Sequence, residues 1–155
     1  MTLIRMPAVA GQFYAENADE LNATVTTLLD EAQERETPAP KAIIVPHAGY
    51  IYSGPVAATA YARLRPHHAR YRRVVLLGPC HRVPVKGLAL SSANAYRTPL
   101  GDVPLDKAAI TGLEVPGVCV FDESHADEHS LEVHLPFLQA VLDEFLLVPI
   151  VVGDA

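Results

Sequence analysis

The stretch RVVLLGPCH, residues 73–81, decides the fold of this chain. After Arg73 come four apolar residues without polar alternation, a pattern typical of a strand buried on both faces of a parallel sheet. Gly78 and Pro79 end the strand, and His81 lies two residues further on. Because ligands of open α/β sheets bind beyond the carboxyl ends of the strands, this stretch predicts a site at a sheet edge.

The rest of the chain alternates such strands with helices. Residues 41–47, KAIIVPH, predict another buried strand over 41–45, again followed by a histidine, His47. Further buried strands are predicted over 87–90, 118–121 and 146–152. Helices are predicted over 18–35, 55–64, 105–113 and 131–142. Strands that alternate with helices predict an α/β protein with a largely parallel sheet covered on both faces.

Length and composition set the broad class of protein. The chain has 155 residues, which suits a single domain over residues 1–155, and 50% of them are hydrophobic and 19% charged. The formal net charge of −6 provides no basic face for nucleic acid. The chain has neither a secretory signal pattern nor the roughly 20 apolar residues of a membrane helix. Because two cysteines, Cys80 and Cys119, make no disulfide framework, we expect a cytoplasmic protein that binds neither nucleic acid nor membranes.

Two histidines follow predicted buried strands in the same way. His47 and His81 each lie two to four residues past a strand, behind a proline or a Gly-Pro pair. Neutral imidazole is the commonest protein metal ligand, and two histidines with one carboxylate form the facial triad of non-haem Fe(II) sites. The pattern therefore predicts part of a mononuclear metal site. The alternative is that both histidines only hydrogen-bond to their loop backbone.

A third polar cluster follows the predicted strand 118–121. Residues 122–132 contain five acidic residues and two histidines, His125 and His129, four residues apart. Such a pair can hold a metal from one helix face, but no glutamate follows the first histidine, so the H-E-x-x-H motif of zinc proteases is absent. Two interpretations stay open: a histidine that acts as acid/base beside a metal, and a solvated acidic loop before a helix.

Cys80 lies beside His81 and has three interpretations: a thiolate ligand, a redox-sensitive thiol and a small buried residue. The third is favoured, because an unpaired cysteine usually behaves as a small hydrophobe. Within the predicted cleft, we assign Cys80, Tyr50 and His125 to contacts with a substrate.

Five motifs, in this order along the chain, resemble those of the Memo-like proteins. They are AVAGQFY (8–14), PHAGYIYSG (46–54), GPCH (78–81), TPLG (98–101) and EHSLEVHLPF (128–137). In bacteria and archaea such proteins are named AmmeMemoRadiSam system protein B. The resemblance covers essentially the whole chain.

The resemblance implies a fold shared with the class III extradiol dioxygenases, a three-layer α/β/α sandwich with a mostly parallel central sheet. In that wider group two histidines and an acidic residue hold Fe(II), and a further histidine is the acid/base. By motif match, His47 and His81 take the ligand positions and His129 the acid/base position. The implied cofactor is Fe(II), with Zn or Cu as alternatives.

The resemblance also implies that this chain is an N-terminal portion of the family domain. Memo-like proteins are longer, and their third site residue, a cysteine or a different residue in bacterial members, lies in the C-terminal part. We therefore expect a sheet that is incomplete at its C-terminal end. The third ligand is expected from outside these residues, or from Glu128 or Cys80 as local substitutes.

Two functions compete at this point, with a third behind them. The first is a metal-dependent oxidoreductase or dioxygenase that acts on a small molecule or peptide in the cleft. The second is a non-catalytic scaffold that binds a peptide or protein and retains a vestigial metal site. Metal-dependent hydrolysis is the weaker third option. A homo-oligomer is expected if copies cover the exposed surface.

Overall fold

The computed structural model describes residues 3–32 and 38–154. The helices are α1 (Ala18–Glu31), α2 (Tyr50–Tyr61), α3 (Lys107–Thr111), α4 (Glu123–Ala126), α5 (His129–Glu132) and α6 (Leu135–Val141), and a 3-10 helix covers Ala62–Arg70. The strands are β1 (Ile4–Arg5), β2 (Arg73–Pro79), β3 (Leu88–Leu90), β4 (Ala95–Thr98), β5 (Gly101–Pro104), β6 (Val118–Val120) and β7 (Leu146–Val152). The predicted α/β class is confirmed.

Two sheets organise the described residues. The larger has the strand order β2-β7-β3-β6, and the smaller has the order β1-β4-β5. In the larger sheet β2 is parallel to β7 and β3 to β6, whereas β3 runs antiparallel to β7. Two of the three strand pairs are parallel, in line with the predicted mostly parallel sheet, and the antiparallel pair makes the sheet mixed. Strand direction depends on how distant segments pair, and hydrophobic runs do not encode it.

The two central strands of the larger sheet, β7 and β3, are covered on both faces. Successive side chains of a strand point to opposite faces. Ile150 and Leu90 belong to the main hydrophobic cluster, which also includes residues of α1, α2 and α6. Their neighbours Val151 and Ala89 belong to a second cluster on the other face, together with Leu131 of α5. This second cluster fixes α5 against the sheet.

Several predicted elements are confirmed. Strand 146–152 has the predicted bounds, and α1 begins after Asn17, whose side chain accepts a hydrogen bond from the Glu20 backbone N–H at 3.0 Å. The predicted helix 18–35 ends at Glu31 in the structure, and its last three predicted residues lie outside the described part of the chain.

The predicted buried strand over 41–45 is wrong. This segment has no strand pairing, and Ile44 is 100% exposed. A groove of about 420 Å³ separates it from β2, where Val75 and Leu77 are also exposed. An apolar β-branched run indicates a strand, but whether the strand is paired depends on which segments lie beside it.

The predicted helix over 131–142 is divided into α5 and α6. Pro136 has no N–H with which to bond the Glu132 carbonyl four residues earlier. The helix is therefore interrupted after Glu132 and resumes at Leu135. The helix predicted over 55–64 begins earlier, at Tyr50, and contains Pro55 in its interior. Within the described residues, no helix has the length and apolar character needed to cross a membrane.

A fully buried carboxylate ties the N-terminal segment to α5. Glu132 is 0% exposed and pairs with the Arg5 guanidinium. It also accepts hydrogen bonds from the backbone N–H groups of Ala8 and Val9, at 2.8 and 3.0 Å, and from the Tyr14 hydroxyl at 2.6 Å. Because a buried carboxylate is tolerated only when its oxygens are bonded, this set of donors makes Glu132 a structural anchor.

We expect Glu132→Gln to destabilise the fold by about 3–5 kcal/mol, because the buried Arg5 charge would lose its partner. Urea unfolding, followed by circular dichroism, measures this change in the free energy of unfolding. Glu114→Gln is the matched control, since Glu114 is exposed and its loss should change the free energy by less than about 0.5 kcal/mol. A Glu132→Gln protein as stable as the control would contradict the anchoring role.

Candidate metal centre

Three histidines from separate segments meet beyond the carboxyl end of β2. His47 lies in the loop before α2, His81 lies two residues past β2, and His129 is the first residue of α5. Each offers a ring nitrogen, and the three nitrogens lie within 4.8 Å of one another. The ring centroids of His81 and His129 are 4.5 Å apart, and that of His47 is 5.3 Å from His81 and 5.8 Å from His129.

Close packing of β2 on α5 brings two of these rings together. A Cβ atom added at Gly78 would lie 2.7 Å from Ser130 Oγ and 2.9 Å from a methyl group of Leu131, so only glycine fits there. The Ser130 hydroxyl also donates a hydrogen bond to the Pro79 carbonyl at 2.8 Å. His81 follows β2, and His129 is the first residue of α5. The contact between β2 and α5 therefore sets the distance between the imidazoles of His81 and His129.

Glu128 lies beside two of the three rings. Its Oε2 accepts a hydrogen bond from the His81 backbone N–H at 2.6 Å, and its Oε1 accepts one from His81 Nδ1 at 2.9 Å and one from the Ser130 backbone N–H at 2.9 Å. Burial alone would raise the pKa of Glu128, but the hydrogen bonds from His81 and Ser130 outweigh it and lower the pKa to about 2. The side chain is therefore an ionised acceptor at neutral pH.

An aromatic ring covers one side of the cluster. The Phe13 ring packs on His129 with its centroid 4.8 Å away. Phe13 belongs to the N-terminal turn that Glu132 anchors, and its carbonyl accepts a hydrogen bond from the Tyr50 backbone N–H at 2.8 Å. The anchor thus places an apolar wall at the histidine cluster.

The electrostatics of the cluster suit a metal cation. Burial lowers the pKa of both His47 and His129, and the nearby His81 lowers each further. These two rings are therefore neutral at pH 7 and present lone pairs. The Nδ1 atom of His129 is buried without a hydrogen-bond partner, 3.5 Å from Glu128 Oε1. Three imidazoles with an unpartnered buried nitrogen are a donor set that fits a transition metal such as Fe(II), Zn(II) or Cu(II).

The other three predicted site residues make hydrogen bonds within the protein. The Tyr50 hydroxyl donates to the Val133 carbonyl at 2.7 Å, and Cys80 Sγ donates to the Val83 carbonyl at 2.9 Å. Their predicted contacts with a substrate stay predictions.

His125 has both ring nitrogens engaged. Its Nε2 donates to the Ala89 carbonyl at 3.0 Å, so its Nδ1 accepts from the Tyr96 hydroxyl at 2.6 Å. Burial lowers the pKa of this ring, which is 2% exposed. These bonds join β3, β4 and α4, and the predicted role of His125 in substrate binding stays untested.

The match to a known protein family covers nearly the whole chain. A family model described as "Memo-like protein" matches residues 5–155. The chain belongs to the Memo-like protein family.

Named relatives come from vertebrates and a bacterium. "Protein MEMO1" of Danio rerio is 42% identical over 152 residues, which are 93% of this chain and 50% of that protein. "Protein MEMO1" of Homo sapiens is 40% identical over 152 residues, again 93% of this chain and 50% of that protein. "MEMO1 family protein" of Aquifex aeolicus is 44% identical over 151 residues, 96% of this chain and 55% of that protein. The chain spans about half the length of the curated relatives it matches.

The sequence predicted His129 beside His47 and His81 as the acid/base, and in this Memo-like chain a nitrogen of His129 lies near theirs. The roles of the three residues stay predictions. The sequence did not predict the hydrogen bonds of Glu128 to His81, because Glu128 was considered only as a substitute ligand. A glutamate directly before His129 was the one sequence feature that pointed to a carboxylate at the cluster. No spacing rule links Glu128 to His81, which lies 47 residues earlier.

We expect Gly78→Ala to destabilise the fold by about 1–3 kcal/mol, because the added methyl group would collide with Ser130 and Leu131. Gly112→Ala is the control, since a Cβ there would meet nothing closer than 3.3 Å at a helical φ of −80°. Urea unfolding of both variants gives the comparison. Equal stability of the two would show that β2 and α5 can separate without cost.

Proposed function

We propose that this Memo-like chain binds a divalent transition metal through His47 and His81 and uses it in a metal-dependent oxidation, with Fe(II) as the resident ion. The observation that carries the proposal is the approach of three histidine nitrogens to within 4.8 Å, beyond the carboxyl end of β2. Bound Fe(II) would supply the redox chemistry of a non-haem oxygenase.

His129 is assigned the proton-transfer role in this proposal. Its ring is partly buried, its lowered pKa keeps it neutral at pH 7, and a neutral imidazole can accept a proton from a bound substrate. A ring nitrogen of His129 is also near enough to those of His47 and His81 to serve as a third ligand. The metal affinity of a variant without this ring separates the two roles.

The surroundings of the cluster would help a substrate bind. Phe13 gives the site an apolar wall, against which the ring or chain of a small organic molecule can pack. His81 keeps 38% of its side chain exposed, so the centre is open to solvent on its side. A site with one apolar wall and one open side suits a substrate with an apolar body and a polar, metal-binding end.

We expect the protein, purified without oxygen, to bind one Fe(II) or Zn(II) per chain, and His47→Ala and His81→Ala to weaken binding at least about 100-fold. Each substitution removes one of few ligands, and calorimetric titration measures the loss. His68→Ala is the control, because His68 is an exposed histidine bonded to Asp143. Unchanged binding in both ligand variants would overturn the metal site. Weaker binding by His129→Ala would make His129 a ligand.

We expect the Fe(II)-loaded protein to consume oxygen with a catechol or another enediol, and His81→Ala to abolish this. An oxygen electrode measures the rate. If His129→Ala binds Fe(II) normally but turns over at least about 100-fold more slowly, the proton-transfer role is supported. Fe(II) binding without oxygen consumption across a panel of enediols would favour the alternative, a scaffold that binds a peptide or protein without catalysis.

A further inference from the structure

The two buried carboxylates of the EHSLE segment have different kinds of partners. Glu132 bonds to Arg5 and to groups of the N-terminal turn, none of which belongs to the histidine cluster. Glu128, with 1% of its side chain exposed, directs a bond to the ring of His81. Burying a carboxylate costs free energy unless its oxygens are hydrogen-bonded. We therefore expect each of the two carboxylates to have a structural or functional role at the place where its partners lie. For Glu128 that role lies at the candidate centre.

The hydrogen bond between Glu128 and His81 determines which ring nitrogen is free. Both oxygens of the Glu128 carboxylate accept backbone N–H groups, Oε1 that of Ser130 and Oε2 that of His81, so in the bond to the ring Oε1 is again the acceptor and the hydrogen is on His81 Nδ1. In a neutral imidazole the other nitrogen, Nε2, then carries the lone pair. Because the His81 backbone N–H binds the second oxygen of the same carboxylate, both the main chain and the ring of His81 are fixed by one side chain.

We propose that Glu128 is a positioning residue, which holds His81 in the tautomer that offers Nε2 to the metal. This inference rests on the proposed function and adds a residue that acts through His81 rather than on the metal. Carboxylates that orient metal-binding histidines raise the basicity of the ring and restrict its rotation. The hydrogen bond from Ser130 to Glu128 Oε1 in turn fixes the carboxylate.

Glu128 also lies next to a second ring of the cluster. Its Oε1 is 3.5 Å from the buried Nδ1 of His129, which has no hydrogen-bond partner. A small rotation of that ring would complete a hydrogen bond to the same oxygen. One carboxylate therefore lies beside two of the three imidazoles, and its loss should loosen the cluster more than the loss of an ordinary surface charge.

The experiment has one arm on the metal-free protein. Nitrogen-15 NMR of the imidazole rings reports the tautomer of His81, and we expect the hydrogen on Nδ1 in the wild type at pH 7.5. Glu128→Gln should shift His81 to a mixture of tautomers. The amide has only one oxygen, so its NH₂ group must face a backbone N–H, either that of His81 or that of Ser130, and the bond to the His81 ring loses the carboxylate that fixes it. A wild-type His81 with its hydrogen on Nε2 overturns the proposal, whether or not any variant folds.

The second arm measures Zn(II) affinity by competition with a chromophoric chelator. We expect Glu128→Gln to bind about 10–100-fold more weakly than wild type, the usual range for loss of such a partner. Asp127→Asn is the matched control. It also replaces a carboxylate by an amide, but at the neighbouring residue, whose side chain is exposed. The Zn(II) affinity of this variant should equal that of wild type. Equal affinities of Glu128→Gln and wild type, or an equal loss in Asp127→Asn, overturn the positioning role.

The outcomes separate this inference from the proposed function. If wild type binds Zn(II) and needs His47 and His81, but Glu128→Gln keeps both its affinity and its tautomer, the metal site stands and the role of Glu128 is overturned. If wild type binds no Zn(II) or Fe(II), the proposed function itself fails. A changed tautomer together with a weakened affinity supports the positioning role.

Discussion

The buried carboxylate of Glu132 is the constraint on which the arrangement of the candidate centre depends. Its partners are a guanidinium, two backbone N–H groups and a tyrosine hydroxyl, all from the N-terminal segment. Burial and the nearby carboxylate raise the pKa of Tyr14, which keeps its hydroxyl protonated as a donor. The anchored turn carries Phe13 to the histidine cluster, so a stabilising contact and a functional wall come from the same segment.

Each of the four residues of the short helix α5 has its own role. Its first residue, His129, belongs to the cluster, and its last, Glu132, anchors the N-terminal turn. Between them, Ser130 bonds β2 and Leu131 packs in the second hydrophobic cluster. The packing of α5 on β2 therefore determines the position of His129, because one residue of a one-turn helix cannot shift without the others. A substitution that weakens this packing should change both the stability of the fold and the geometry of the histidine cluster.

Membership of the Memo-like family and the histidine cluster support each other without being the same evidence. The family match rests on residues 5–155 as a whole, whereas the cluster rests on atomic positions that the match does not measure. The neutral state of His47 and His129 follows from burial, which lowers the pKa of each ring. Lone pairs at neutral pH are what a metal requires, and this gives the proposed function its chemical basis.

The sequence by itself determined the α/β class, the strand over 146–152 and the placement of His47 and His81 after apolar runs, because these depend on local patterns of hydrophobicity and spacing. Only the tertiary structure decided the mixed strand directions, the unpaired segment 41–45, and the small sheet of β1, β4 and β5. The same holds for Glu128 and His81, 47 residues apart, which meet because Gly78 allows β2 and α5 to pack closely. Contacts between distant segments depend on how the chain packs in three dimensions, and a local pattern cannot specify them.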